Sequence, residues 1–278
     1  MYLFSKPEGL TSRTASTLVA RAWGYSKRGH CGTLDPAARG VLPVLLGSAT
    51  RLSPFLTGGS KIYSFTLVLG VTTDTDDMEG KVISRTDASA VTPLMLSEAL
   101  STLTGSFRQK APLFSAVRVE GVRAYRSART GGRPDMPSRT VYVCDWETGE
   151  LKDCAARLRV TVSPGTYIRA LARDAGGSLG VGGVATEIVR EFSGGFGIDE
   201  CSGEYDDTAA MLTMAEAMRG YPVRRLTQPE ADAVLHGISV QGSFHGTVAM
   251  VSEDGRLMAV GAGNGETIHP ACVLEKPC

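Results

Sequence analysis

One segment constrains this chain more than any other: Gly29-His-Cys-Gly-Thr-Leu-Asp35-Pro-Ala-Ala-Arg-Gly40-Val-Leu-Pro43. It fixes a single carboxylate, Asp35, between glycines at 29, 32 and 40 and directly before Pro36. Glycine reaches backbone conformations that a side chain forbids and leaves room for a ligand to come close. Proline disfavours helical dihedrals in the residue before it, so Asp35 is presented from an extended or turn segment. The apolar run Val41, Leu42, Val44, Leu45 and Leu46 follows at once, which sets the acid against a core. The pattern predicts a loop over 29–43. Taken alone, Leu-Asp-Pro is a plain Asp-Pro turn, and the rest of the chain decides whether it carries chemistry.

Around that loop the periodicities alternate between helix and strand without a regular βαβ rhythm. Thr11 or Ser12 caps a helix running to Trp23, with apolar positions at 15, 18, 19, 22 and 23 and Gly24 as its stop. Ile62 to Leu69 alternates as a half-buried strand with Tyr63, Phe65, Leu67 and Leu69 on one face. Thr92-Pro93 opens a second helix that Gly105 closes. Leu158, Val160 and Val162 mark a further strand, and Gly165-Thr166 leads into a helix carrying Ile168, Leu171, Ala172 and Ala175. These elements predict an α+β fold with a mixed, largely antiparallel sheet. After Tyr221-Pro222 the pattern changes. A capping box at Thr227–Glu230 starts a short helix, and Val248–Val251 with Leu257–Val260 reads as a hairpin. Residues 1–222 are therefore expected to form one domain and 223–278 a small β-rich module.

The 278 residues carry no apolar run as long as a membrane span and no signal-peptide pattern at the N-terminus, so a cytoplasmic location is expected. Six cysteines include no Cys-x-x-Cys pair and the histidines are not clustered, so no metal site is expected. No Gly-rich loop ends in Lys-Ser/Thr, and Gly180-Val-Gly182 does not directly follow a predicted strand; no nucleotide cofactor is expected. Asp74-Thr-Asp76-Asp77 fits neither a calcium loop nor a phosphotransfer site and reads as a solvated turn. Formal net charge is zero, yet 107–139 holds eight Lys or Arg against Glu120 and Asp135. A local basic surface attracts phosphates whatever the total charge.

Three side chains complete the candidate chemistry. Tyr63 is an aromatic able to stack on a nucleobase, an interaction worth roughly 1–3 kcal/mol. Arg169, in Gly165-Thr-Tyr-Ile-Arg169, falls in the first turn of its predicted helix, where the helix dipole opposes a cation unless an anion lies near. Asp35 supplies one, through a bidentate pair. His30 has no partner at a triad spacing, so positioning suits it better than proton transfer.

The order of segments resembles the TruB-type tRNA pseudouridine synthases. Lys6-Pro7-x-Gly9…Thr11-Ser12 comes first, then Gly29-His30-x-Gly32-Thr33-Leu34-Asp35-Pro36…Gly40-Val41-Leu42-Pro43. Lys61-x-Tyr63, Thr73-Asp74-Thr75-x-Asp77…Gly80, Pro112-x-x-Ser115-Ala116…Gly121…Ala124-Tyr125…Ala128-Arg129 and Gly165-Thr166-Tyr167-Ile168-Arg169 follow in family order. The tail, 223–278, resembles a reduced PUA-type RNA-binding module. The resemblance implies a cytoplasmic enzyme, acting as a monomer, that isomerises the T-loop uridine customarily numbered 55 in tRNA. It uses no cofactor.

It also implies roles. Asp35 is the nucleophile, attacking either the base or the ribose carbon, Arg169 orients it and keeps it charged, and Tyr63 stacks on the target uracil. His30 fills the space the flipped base leaves, while Tyr167, Ile188 and Lys61 meet the substrate. Lys6, Arg123, Arg126, Arg129 and Arg190 contact RNA. The chain departs from the family pattern at Arg39, where a small hydroxyl residue is usual, and at Ile188-Val189-Arg190, where Leu-Arg-Arg is usual. A pseudouridine synthase for another RNA, a non-catalytic tRNA-binding protein and a carboxylate glycosidase are the competing readings. The last would need a second acid, for which the sequence offers no motif.

Overall fold

Strands β1 (Tyr2–Lys6), β2 (Arg28–His30) and β3 (Arg39–Leu46) frame the Asp35 segment, with helix α1 (Ser12–Ala22) between β1 and β2. They come from a computed structural model that describes residues 1–274 other than 116, 120–121, 125–131 and 133. The expected long loop is shorter than the glycines suggest. His30 already pairs with Val44 and Pro43 with Leu3, so only 31–38 is irregular. Thr11 caps α1 by accepting a hydrogen bond from the Thr14 amide at 3.0 Å, and Gly24 ends it at φ +69°.

β3 is buried on both faces, which is why it reads as an unbroken apolar run. Leu42 and Val44 join Tyr2 and Phe4 against Ala15 and Val19 of α1. Val41 and Leu45 point the other way with Leu3. The sheet continues through β4 (Lys61–Leu69), β5 (Gly105–Lys110), β6 (Ser138–Lys152), β7 (Ala155–Val162) and β8 (Gly183–Ser193). In space the order is β1-β3-β8-β4-β7-β6-β5, with β2 added on β3 and Phe196–Gly197 on β8. All of these pairs are antiparallel except β3 with β8, so the sheet is mixed and largely antiparallel.

Helices α2 (Pro93–Thr102) and α3 (Ile168–Ser178) cover one face of it. Leu96 and Leu100 from α2 and Leu171, Ala172 and Ala175 from α3 meet Tyr63, Phe65, Leu67, Leu158 and Val160 in the largest core. That burial seats α3 on the sheet and so fixes Arg169, which lies in its first turn.

The C-terminal residues make a separate five-stranded sheet: β9 (Val223–Arg225), β10 (Val240–Gln241), β11 (His245–Val251), β12 (Leu257–Asn264) and β13 (Thr267–Val273) in the order β9-β11-β12-β13-β10. Its capping-box helix, Gln228–Leu235, forms as expected. The sheet does not stand apart. Ala249, Val251, Leu257 and Val260 share one core with Leu3, Val41 and Leu45, the outward face of β1 and β3.

Where β3 crosses β8, Gly40 has φ +105° and a Cβ there would lie 2.2 Å from the Arg190 carbonyl oxygen. Gly40→Ala is expected to lower stability by about 3 kcal/mol, from strain plus overpacking. Gly58→Ala, with open space around it, should stay near the parent; urea unfolding of both variants checks this.

Candidate active site

Residues 31–38 carry Asp35 and are tied down from three sides through their carbonyls. Lys6 Nζ donates to the carbonyls of Pro7, Leu10 and Pro36 at 2.8, 2.8 and 3.2 Å. Ser12 Oγ donates to the Leu34 carbonyl and accepts from the Leu34 amide, at 2.9 and 2.8 Å. Arg190 donates from Nε to Val41 and from Nη2 to Gly32, at 2.7 and 3.0 Å. Lys6 and Arg190 have no solvent exposure at all. Gly32, at φ +79°, lets the chain pass over the Arg190 guanidinium; a Cβ there would sit 3.1 Å from Nη1.

Arg169 is the second fixed point. Its Nε donates to Asp35 Oδ2 at 2.8 Å, Nη1 to the Thr75 carbonyl at 2.6 Å and Nη2 to the Phe114 carbonyl at 3.1 Å. Asp77 Oδ2 lies 3.4 Å from Nη1 on the far side. Two carboxylates and two carbonyls thus offset the unfavourable helix-dipole position. The contact with Asp35 is single rather than the expected bidentate pair, because the other nitrogens are committed to backbone carbonyls. The arginine side chain is 5% exposed and that of Asp35 is 42% exposed. The acid is held through Oδ2 and half-open to solvent, and Oδ1 has no hydrogen-bond partner among the described residues.

Two cavities open on that tip. The smaller, about 280 Å³, is lined by Leu34, Tyr63, Ile168 and Ile188 and by Lys61 and Tyr167. The larger, about 580 Å³, is lined by Thr11, Arg13, His30 and Glu79. Tyr63 and Ile188 are each nearly buried, so they offer the small cavity apolar surface. Ile188 arrives there through a bulge in β8: pairing with β4 breaks between Thr186 and Val189, and Glu187 takes φ +50°. Tyr167 is set by Gln109, whose side chain bonds both the Tyr167 amide, at 2.8 Å, and its carbonyl, at 3.1 Å. Arg139 lies over the Tyr167 ring, 5.0 Å from its centroid. His30 faces the larger cavity and bonds Thr33 Oγ1 through Nε2 at 3.3 Å. Burial, reinforced by the Arg190 charge, holds its imidazole below the usual range, so the ring is neutral at pH 7.

A family model described as "TruB family pseudouridylate synthase (N terminal domain)" matches residues 20–168. The protein named "tRNA pseudouridine synthase B" from Thermobifida fusca (strain YX) is 39% identical, over 98% of this chain and 97% of that one. The chain belongs to the TruB family of pseudouridylate synthases. It is a pseudouridine synthase, an isomerase. A protein of the same name from Synechococcus sp. (strain WH7803) is 36% identical, over 98% of this chain and 96% of its own length. Among solved structures, "Crystal Structure of a Cbf5-Nop10-Gar1 Complex" superposes with a TM-score of 0.73 at 25% identity, covering 99% of this chain and 84% of that one.

For this TruB-family chain the geometry corrects several sequence expectations. Lys6 and Arg190 are fully buried and donate to the backbone of the Asp35 segment, a structural task the sequence did not show, while Arg190 also lines the small cavity. The Asp74–Asp77 turn is not simply solvated. Asp76 and Asp77 are buried and pair with Arg173 and Arg169. Sequence reasoning therefore missed Asp77, although it stands in the quoted Thr-Asp-Thr-x-Asp segment; its arginine partner is 92 positions along the chain. Gln109 and Arg139, which set Tyr167, carried no signal beyond the basic bias of their region. Arg126 and Arg129 lie outside the described residues, and for Arg123 only the backbone is described, paired with Arg118. The two departures from the family pattern turn out to be neighbours: Val189 pairs with Arg39 in parallel register, and Arg39 is exposed. A cation is present at this edge on the adjacent strand.

Lys61 is 5% exposed, donates to the Thr57 and Gly59 carbonyls at 3.0 and 2.7 Å, and is pushed down to about 8 by burial, aided by Arg190. Unfolded, the same amine holds its proton to about 10.5. Between those values the unfolded chain binds the extra proton, so this group makes stability rise with pH across that window. Urea unfolding at about pH 7.5 and about pH 10 should show the parent gaining on the order of 1–2 kcal/mol relative to Lys61→Met. Lys6→Met leaves three carbonyls without their donor. It should cost about 2 kcal/mol and lower turnover, with RNA affinity within about twofold of the parent in filter binding.

Proposed function

We propose that this chain converts uridine 55 in the T-loop of tRNA to pseudouridine, with Asp35 as the nucleophile. The observation that carries this is the pair at the mouth of the two cavities. Arg169 fixes Oδ2 of Asp35 and leaves Oδ1 free and open to an entering nucleoside. A uridine stacked in RNA cannot reach that oxygen, so it must be flipped out at a cost of a few kcal/mol. The small cavity suits the extruded base: Tyr63 stacks on it and Ile188 closes the opposite side. His30, a neutral ring in the larger cavity, fills the space vacated in the RNA.

Attack by Asp35, at the uracil ring or at the ribose carbon, forms a transient bond that breaks again before release; across the whole reaction the bond from uracil N1 to ribose C1′ is broken and, after the base turns, one from C5 to C1′ is made. The C5 proton is lost to a base and N1 gains a proton, so atoms and electrons balance with no cofactor. Arg169 and its partner Asp77 hold Asp35 in place throughout. Such preorganised electrostatics act without reorganising during the reaction.

The curated relatives are named for tRNA, which supports that substrate. Exposed Arg13 and Arg39 and the 107–139 basic segment would meet phosphates, as would a PUA-like module formed by 223–278. RNA is recognised largely through shape and backbone, which suits such a dispersed grip. The protein would act as a monomer in the cytosol, and no helix among the described residues is long and apolar enough to cross a membrane.

Tritium release from tRNA labelled at uridine C5 tests the proposal. Asp35→Asn should reduce release to background while tRNA affinity stays within about tenfold. Replacing uridine 55 by cytidine should abolish release by the parent. Release that survives the first change removes Asp35 as nucleophile; release that survives the second moves the target elsewhere in the RNA.

A further inference from the structure

Five residues line both cavities: Thr33, Leu34, Asp35, Ser115 and Arg169. Ser115 differs from the other four. Its residue is 6% exposed, and its Oγ is buried with no hydrogen-bond partner. Among the described residues only one other buried side-chain atom shares that condition, Nε1 of Trp146, whose ring packs on the main core away from either cavity. Native structures leave few buried polar groups unpaired, since each forfeits its bond to water without gaining another. An orphaned hydroxyl in the wall of a substrate cavity therefore calls for a partner that arrives with the substrate.

We infer that the Ser115 hydroxyl binds the ribose of the target nucleotide, at its 2′-hydroxyl. This rests on the reading that Asp35 acts on a flipped uridine. The small cavity, walled by Tyr63, Ile188 and Leu34, takes the base, and the larger, walled by Arg13, His30 and Glu79, takes the strand. The sugar that joins base to strand must then sit at the wall common to both, beside Asp35. Of the ribose hydroxyls, the 2′ group is the one on the carbon next to C1′, where the glycosidic bond breaks. It can donate and accept, as can a serine hydroxyl. Serine is also rigidly placed for this task, because the carbonyl of its neighbour Phe114 is bonded to the same guanidinium that holds Asp35. Contact with a 2′-hydroxyl is the means by which a protein tells RNA from DNA.

A binding cycle tests the assignment. The full chain carrying Asp35→Asn, with and without Ser115→Ala, is titrated with a T-arm RNA hairpin bearing either uridine or 2′-deoxyuridine at the target position. With Ser115 present, the deoxy substitution should weaken binding about fivefold, the size of one net hydrogen bond. With Ser115→Ala, the two hairpins should bind within about twofold of each other. Ser115→Ala should not lower Tm, because the deleted hydroxyl has no partner to lose. The inference is overturned if the deoxy penalty is the same in both backgrounds or absent in both. It is equally overturned if Ser115→Ala lowers Tm and weakens both hairpins alike. Tritium release by Asp35→Asn would instead overturn the reading of Asp35, and the cycle would still report on Ser115.

Discussion

Buried cations solvated by backbone carbonyls hold the Asp35 segment, and the remaining geometry follows from that. Lys6 and Arg190, together with the Ser12 hydroxyl, grip the carbonyls of residues 32, 34, 36 and 41. Neither cation forms an ion pair among the described residues. Carbonyl oxygens replace part of the water each charge has lost, and in return the segment gives up its freedom. A short irregular stretch between two strands would otherwise be among the more mobile parts of the chain. The scaffolding leaves the Asp35 carboxylate little freedom to wander, the kind of placement that a reacting group requires.

Arg169 performs the complementary task from the helix side. It is clasped by Asp35, Asp77 and two carbonyls, so no rotation of the guanidinium is available that keeps all its partners. Burying so many charged groups is costly unless each is paired. The arrangement concentrates that cost at the site, where fixed dipoles and charges act on the substrate in place of mobile water. The surrounding cores, rich in Leu, Val and Ala, supply the stability that offsets it.

Residue type and spacing revealed much of this, and burial was what they could not reveal. Asp35, Tyr63 and Arg169 stand out in the chain because unusual neighbours surround them, and the structure brings all three to one cavity. The helix caps at Thr11, Thr92 and Thr227 are local chemistry and are found where the sequence predicts them. That Lys6 and Arg190 are buried against carbonyls could not be read in advance, because a basic residue in sequence looks the same whether it meets a phosphate or a carbonyl. Asp76 and Asp77 looked solvated because their arginine partners come from a helix some 90 residues later. The bulge that delivers Ile188 depends on Glu187 adopting a positive φ, a choice imposed by the pairing of β8 with β4 and β3 rather than by glutamate itself.

The core shared by the C-terminal sheet and the outer face of β1 and β3 also reaches the Asp35 segment. Val251 and Leu257 pack in one core with Val41 and Leu45 of β3, the strand into which the Asp35 segment runs, and with Cys31 at the start of that segment. The C-terminal sheet is therefore joined to the Asp35 segment through packed side chains and not through a linker alone. The C-terminal sheet and the segment that carries Asp35 thus sit on opposite ends of one shared core, and neither can shift without disturbing the other.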